Sequence, residues 1–136
     1  MIEIAIDGTA ASGKGTLGKK LSDKYSFPYL DTGILYRKVA YELIKRNKLD
    51  QTKLEQICCD FATILTFKEL KNTNLRTEEV AKLASKIATF PSLRKILNNK
   101  QKEFSNFNKK QFGGCILDGR DIGTTILPNA DFKFFI

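Results

Sequence analysis

Residues 2–16 read IEIAIDGTAASGKGT, and this stretch decides the fold. Ile2–Asp7 alternates and is rich in isoleucine, as a buried strand is. Gly8 follows, then four residues, then Gly13-Lys14. Leu17, Leu21 and Tyr25 come next on one predicted face of a helix over about 15–25. Strand, glycine-rich turn and helix in that order make a phosphate cradle. Gly8 and Gly13 permit a tight loop with positive φ and keep side chains out of it. The loop N–H groups can then face phosphate oxygens, and the helix adds the positive end of its dipole. Lys14 reaches the outer phosphates as a point charge. Gly8, Ala10, Ala11, Ser12, Gly13, Lys14, Gly15 and Thr16 form the predicted cradle. Gly15 stands where Ser or Thr normally follows the lysine, which leaves Thr16 as the nearest hydroxyl for a magnesium shell.

Outward from the loop, strands and helices alternate. FPYLD at 27–31 reads as a short second strand, and a helix over about 33–46 carries Leu35, Val39, Leu43 and Arg46 at helical spacing. Thr52 and Glu55 have capping-box spacing and open a third helix through about Ile64. Residues 67–75 are polar and irregular. Thr77 is placed to cap a helix with the apolar face Val80, Leu83, Ala84 and Ile87, and Ser92 to cap another with Leu93, Ile96 and Leu97. Gly113-Gly114 closes the helical region; CILD at 115–118 and DFKFFI at 131–136 are the third and fourth strands. The pattern predicts an α/β fold with a mostly parallel sheet and right-handed crossovers. No helix follows the last, strongly apolar strand to cover it. The expectation is that residues are missing relative to a complete protein, and that Phe132, Phe134, Phe135 and Ile136 form an uncovered edge inviting association.

Composition narrows the chemistry. The 136 residues suffice for one domain, and 42% hydrophobic with 28% charged residues is ordinary globular usage. No apolar run approaches the roughly 20 residues of a membrane span. MIEIAID reads as a strand and not as a signal peptide, so a cytoplasmic protein is expected, with no membrane partner. The net charge of +8 favours anionic partners: nucleic acid, anionic lipid or small phosphorylated substrates. The lysines are scattered, with no block of like charge. Cys58, Cys59 and Cys115 are odd in number and lack a C-x-x-C, which argues against a disulfide framework or zinc site. Histidine is absent. Any chemistry must therefore use Asp, Lys, Arg, backbone N–H groups and a bound ion.

A phosphate loop alone fits a GTPase, an ATPase or a kinase. DTGILYRKVA (31–40) follows the second strand, with Thr32 and Gly33 at a helix start and Tyr36 and Arg37 one turn in. Arg37 could meet an acceptor phosphate there, and Asp31 the acceptor or a metal. ILDGRDIGT (116–124) follows the third strand. Its apolar run into Asp118 is similar to a Walker B strand, placing Asp118 near magnesium through water. Arg120 and Asp121 then fall at the carboxyl ends of the strands, where open α/β sheets bind ligands. RTEEVAKLASKIATFPSLRKIL (76–97) holds Ser85 and Arg94 on consecutive helices.

Together with IAIDGTAASGKGTLGKKL and ILDGRDIGTTILPNADFKFFI, these segments resemble the bacterial cytidylate kinases, a family of P-loop nucleoside monophosphate kinases. GRDIGT after a strand, with FPSLR upstream, is not the pattern of adenylate, guanylate or shikimate kinases. The resemblance implies a P-loop NTPase-type parallel sheet flanked by helices, with a helical NMP-binding insertion within about 34–112 of a single, incomplete domain over 1–136. It implies transfer of the γ-phosphoryl group of ATP to CMP or dCMP, with Mg2+ as cofactor. Lys14 would contact ATP phosphates; Arg37 and Arg120 would hold the CMP phosphate. Ser85, Arg94 and Asp121 would read the cytosine. Asp31, Thr32, Tyr36 and Asp118 match further site positions, with the Thr32 hydroxyl replacing a serine. Family members continue into a further strand, helices and an arginine-bearing lid. The lid and last strand are expected to be absent here, and the chain alone to be nearly inactive and poorly stable. The segment 68–75 is shorter than in relatives with an elaborated insert. The complete protein is expected to be a monomer acting on a small molecule, with no nucleic-acid partner.

Cytosine offers an amine donor, which suits the Asp121 carboxylate, and two acceptors, which suit Arg94. A different base preference (UMP/CMP) is the other kinase reading. A GTPase-like switch needs an N-K-x-D motif, and Asn99-Lys100-Gln101-Lys102 lacks the final Asp. A nucleic-acid module predicts steeply salt-dependent binding and leaves the loop unexplained.

Overall fold

A computed structural model of the chain describes residues 1–9, 12–50, 52–71 and 73–136. Its order is β1 (Ile2–Asp7), α1 (Lys14–Tyr25), β2 (Tyr29–Asp31), α2 (Gly33–Lys45), α3 (Leu54–Ile64), two 3₁₀ turns (Phe67–Lys71 and Thr73–Arg76), α4 (Glu78–Ile87), α5 (Pro91–Phe112), β3 (Gly114–Gly119), a single π-type turn (Ile122–Ile126) and β4 (Phe132–Phe135). The four strands form one sheet in the order β2-β3-β1-β4, and every pairing is parallel. The predicted α/β architecture is the observed one. Among the described residues no helix is long and apolar enough to cross a membrane.

The chain divides into two compact units, residues 1–32 with 99–136, and residues 33–98. In the first, the β1–β3 register pairs Ile4 with Ile116 and Ile6 with Asp118. Register partners share a face, so the alternating isoleucines of β1 align with Ile116. Leu17 and Leu21 of α1, with Phe27 and Tyr29, pack on this layer. The other face carries Glu3 and Cys115, and the second half of α5 meets them there. Ser105 Oγ donates to Glu3 Oε2 at 2.5 Å and stands 3.1 Å from Cys115 Sγ, while Lys109 Nζ pairs with Glu3 Oε2 at 3.1 Å. Helices on both faces explain why β3 is buried along its whole length.

Tyr25 departs from the expected apolar face. It is 50% exposed and stacks on Phe27, with ring centroids 5.8 Å apart. Eight residues beyond Leu17, the helical step has carried it about 80° round the axis.

Tyr29 lies along α1, and a Cβ added at Gly18 would stand 2.4 Å from its Cε1. Gly18→Ala should destabilise the chain by about 1–2 kcal/mol, overpacking outweighing the gain in helix propensity. At Gly15 the added Cβ would meet the Tyr29 hydroxyl at an ordinary 3.7 Å. Gly15→Ala should therefore leave the urea midpoint unchanged or higher. Equal midpoints for the two variants would show that the ring yields freely.

In the second unit Leu35, Val39 and Leu43 of α2, Leu75, Ile87 of α4, and Leu93 and Leu97 of α5 are fully buried. Arg46, expected on the α2 stripe, instead points out and bonds Glu42 at 2.9 Å, alongside Lys38 at 2.8 Å. An i,i+4 carboxylate is a better partner for a guanidinium than an apolar core. Two predicted caps do not form. Thr52 Oγ1 donates to Asp50 Oδ1 at 2.9 Å, and α3 starts after Lys53 with no side-chain cap. A local Asp–Thr turn has won over the capping box. Ser92 falls inside α5, which opens at Pro91, the residue whose missing N–H suits a first turn. Its hydroxyl donates to Glu55 and accepts from Cys59 Sγ at 3.3 Å. Thr77 does cap α4, accepting from Val80 N at 3.3 Å. The described residues of the stretch 67–75, expected to be irregular, fall in the two 3₁₀ turns, Phe67–Lys71 and Thr73–Arg76, with Leu75 as their core anchor.

The cysteines are all free and buried. Burial, with Cys59 and Glu55 nearby, pushes the Cys58 thiol up to about 12. Burial also raises Cys115, against the hydrogen bond it shares with Ser105. Such thiols stay protonated at neutral pH and are poor nucleophiles. β4 is an edge strand with Phe132 53%, Phe134 38% and Phe135 67% exposed, and Ile136 just beyond it is 51% exposed, the apolar edge expected from the sequence.

Candidate functional site

β1 delivers the chain directly into the glycine-rich loop. Gly13 has φ 92°, a left-handed value that favours glycine, and α1 begins at the next residue. The first turn of α1 holds no acidic residue and no side chain caps it. Such a helix start is electropositive. Lys14 Nζ lies 3.4 Å from Thr9 O, at the weak end of hydrogen bonding. Ser12 Oγ is buried with no hydrogen-bond partner among the described residues, and a Cβ on Gly8 would stand 2.6 Å from it. The absence of a side chain at Gly8 thus leaves room for the inward-turned hydroxyl. An unpaired buried donor beside a capless helix fits a phosphate oxygen. Gly15 is half-buried and Thr16 exposed. Ala10 and Ala11 lie outside the described residues.

The carboxyl ends of β2, β3 and β1 gather three aspartates. Asp31 and Asp118 are register partners on adjacent strands, and Asp7 is the register partner of Gly119. Asp118 is 1% exposed and accepts from the Tyr29 hydroxyl. Thr32 is buried. Its N–H donates to Asp118 O at 2.9 Å, and its Oγ1 packs over Gly119, where an added Cβ would be 2.1 Å away. The D-T-G and D-G-R-D segments are therefore in contact.

Beyond β3, Arg120 and Asp121 are exposed, and Asp121 has φ 58°. Aspartate tolerates the left-handed region better than most side chains. Thr125 N and Ile126 N both donate to Asp121 O, at 2.9 and 3.2 Å, which closes the π-type turn. The turn is tied back to β1. Asp7, 8% exposed, accepts from Ile122 N at 2.7 Å through Oδ1 and from Gly123 N at 2.9 Å through Oδ2.

In the second unit Arg37 Nη1 donates to Leu75 O at 3.3 Å, and Arg94 Nη1 to Ala88 O at 3.3 Å. Burial raises the Tyr36 phenol, and the charge of Arg94 opposes it, so those two predicted residues are electrostatic neighbours. Ser85 is exposed on α4. A cavity of about 620 Å³ in this unit is lined by Lys53, Glu55, Lys86, Phe90 and Ser92, among others, and holds none of the predicted site residues. No three His, Cys, Asp or Glu side chains form a metal-binding cluster among the described residues.

Two residues escaped the sequence reading. Asp7 ends a strand whose pattern is apolar, and the signal for it is that a carboxylate there must find partners when buried. Tyr29 lies within the short FPYLD strand, and the signal for it is that a half-buried phenol has a hydroxyl to satisfy.

The family profile described as Cytidylate kinase matches residues 4–136. The chain belongs to the cytidylate kinase family. Curated proteins named Cytidylate kinase are similar throughout. That of Bartonella tribocorum is 48% identical over 134 residues, covering 98% of this chain and 59% of its own length. That of Bartonella quintana is 47% identical over 133 residues, with the same coverage. That of Bradyrhizobium diazoefficiens is 42% identical over 133 residues, covering 98% of this chain and 60% of its own. The chain thus spans about three-fifths of the length of these curated cytidylate kinases. The match includes every part of the candidate site: the phosphate loop, the D-T-G and Y-R segment, α4 and α5, and the D-G-R-D turn.

Proposed function

We propose that this chain carries the donor loop and acceptor-binding residues of an ATP-dependent kinase acting on CMP or dCMP. The observation that supports this most is the join between the phosphate loop and the D-G-R-D turn. Both leave the carboxyl ends of adjacent strands, and Asp7 links them by two hydrogen bonds. On this reading the loop amides, Ser12 and Lys14 hold the ATP phosphates. Arg37 and Arg120 hold the acceptor phosphate, while Ser85, Arg94 and Asp121 read the base. Asp31, Thr32 and Tyr36 complete the acceptor contacts. The region 34–112 serves as the NMP-binding part of one kinase domain.

Phosphoryl transfer asks for alignment and neutralised charge more than covalent help. Arginine, lysine and backbone amides meet that need in a chain without histidine. Asp118 and Thr16 would hold magnesium through water, and the ion would supply positive charge to offset that of the phosphates. Mg2+ commonly keeps most of its water and needs only one or two protein oxygens, which these two residues can supply. A small anionic substrate accounts for the positive charge, and we place the protein in the cytoplasm as a monomer.

The test is a coupled assay with ATP and CMP, dCMP, UMP or AMP as acceptor. It uses the 136-residue chain and a chimera in which a Bartonella relative supplies the rest of its own length. Turnover on CMP and dCMP well above UMP and AMP supports the reading. Equal use of UMP replaces it with a UMP/CMP kinase, and no turnover in either protein would sink it.

A further inference from the structure

Asp7 has no part in the roles above, yet both oxygens of its carboxylate are engaged at this edge of the sheet. It is the last residue of β1, one position before Gly8. Both of its oxygens are used, one on Ile122 N and one on Gly123 N. These are the two amides that directly follow Asp121. A carboxylate fits two adjacent amides with one oxygen each, and bonds to a charged acceptor are the strong kind. Gly123 is shaped to the contact as well: a Cβ there would stand 3.3 Å from Asp7 Oδ2 and 3.2 Å from Lys133 Cδ. Asp121 needs such support. Its backbone is left-handed at φ 58°, a conformation that persists where the surroundings hold it. Its own carbonyl is committed to the π-type turn.

We infer that Asp7 is a positioning residue for base selection: its carboxylate clamps the Ile122 and Gly123 amides and so fixes the direction in which Asp121 presents its side chain. The inference rests on the proposed role of Asp121 as reader of the cytosine amine. Asp7 touches no substrate. It acts through the turn, and its place beside Gly8 makes one residue the end of the donor strand and the anchor of the acceptor turn.

A merely structural Asp7 would lower all ligand affinities together. A positioning Asp7 should lower selectivity. Asp7→Asn keeps the shape and one carbonyl acceptor but turns an NH2 toward the second amide, donor against donor. Binding of CMP, UMP and ATP to the 136-residue chain is measured by calorimetry, with thermal melts confirming that each variant is folded at the assay temperature. Asp7→Asn should weaken CMP by about tenfold, the worth of the one charge-assisted bond between a correctly aimed Asp121 and the cytosine amine. UMP and ATP should change by less than about twofold, so the CMP/UMP preference falls. In an Asp121→Asn background the same change should leave the CMP/UMP ratio unaltered, because residues acting through one another are non-additive. Gly123→Ala presses on the clamp from the other side without altering charge, and should erode the ratio in the same direction. Equal losses for all three ligands, or an unchanged ratio in both single variants, would overturn the inference alone. A wild-type chain that binds ATP but no pyrimidine nucleotide would overturn the acceptor reading, and this inference with it.

Discussion

Replacing Lys14 by methionine should weaken ATP binding by about 10- to 100-fold, the worth of a charged hydrogen bond to phosphate, and leave CMP binding by the same chain within about twofold. In the chimera with a relative's remaining length, turnover should fall by at least about a hundredfold, since charge on the transferring phosphoryl group loses its nearest preorganised partner. Methionine keeps an unbranched stem of similar length, so the loss isolates the ammonium. That ammonium is well placed to move. Its recorded contact is the Thr9 carbonyl at 3.4 Å, a long bond that a phosphate oxygen would readily replace. The loop around it offers a left-handed Gly13, a Ser12 hydroxyl without a partner among the described residues and the start of α1 with no side-chain cap, each suited to an anion. Isothermal titration of the chain with ATP checks the first part. Unchanged affinity would mean that the triphosphate lies elsewhere, and the donor assignment would fall.

Asp121→Asn should erode the preference for CMP over UMP by about tenfold or more in kcat/KM, within the range of one well-formed base contact. A carboxylate accepts from the cytosine amine, whereas uracil would turn a carbonyl toward it, acceptor against acceptor. Asparagine presents a donor as well and so relieves the clash with uracil. The change is also conservative for the backbone: asparagine, like aspartate, tolerates φ 58°. Penalties of 10⁴ or more belong to fully buried mismatches. Asp121 is exposed, so water can relieve part of the mismatch and the smaller figure is expected. Competition between the two nucleotides in one assay measures the ratio directly. A ratio equal to that of the unaltered protein removes Asp121 from the reader role and shifts it to Ser85 and Arg94.

Much of this chain could be read without coordinates because the signals were local. The alternation in IEIAID, the glycines and Lys14 of the loop, and the Thr77 cap each depend on neighbours a few residues away, and β1, α1 and α4 appear where their patterns put them. The same locality explains the errors. Thr52 and Ser92 have the chemistry of caps, but Thr52 found a nearer partner in Asp50 and Ser92 a distant one in Glu55. Spacing along the chain does not rank such competitors; only their three-dimensional proximity does. Tyr25 lost its predicted face for a geometric reason, the accumulated rotation of the helix.

The amino-acid order alone settled the alternation of strands and helices, the glycine-rich turn between β1 and α1 and the family kinship that the D-T-G and D-G-R-D segments carry, since those are patterns of short range. Tertiary structure decided what the chain's aspartates do. Asp7 and Ile122 are 115 positions apart, and Tyr29 and Asp118 are 89 apart. Only the placement of β3 between β1 and β2 brings these pairs within bonding distance. Strand order in a parallel sheet is a property of long-range pairing, and no local pattern of residues encodes it.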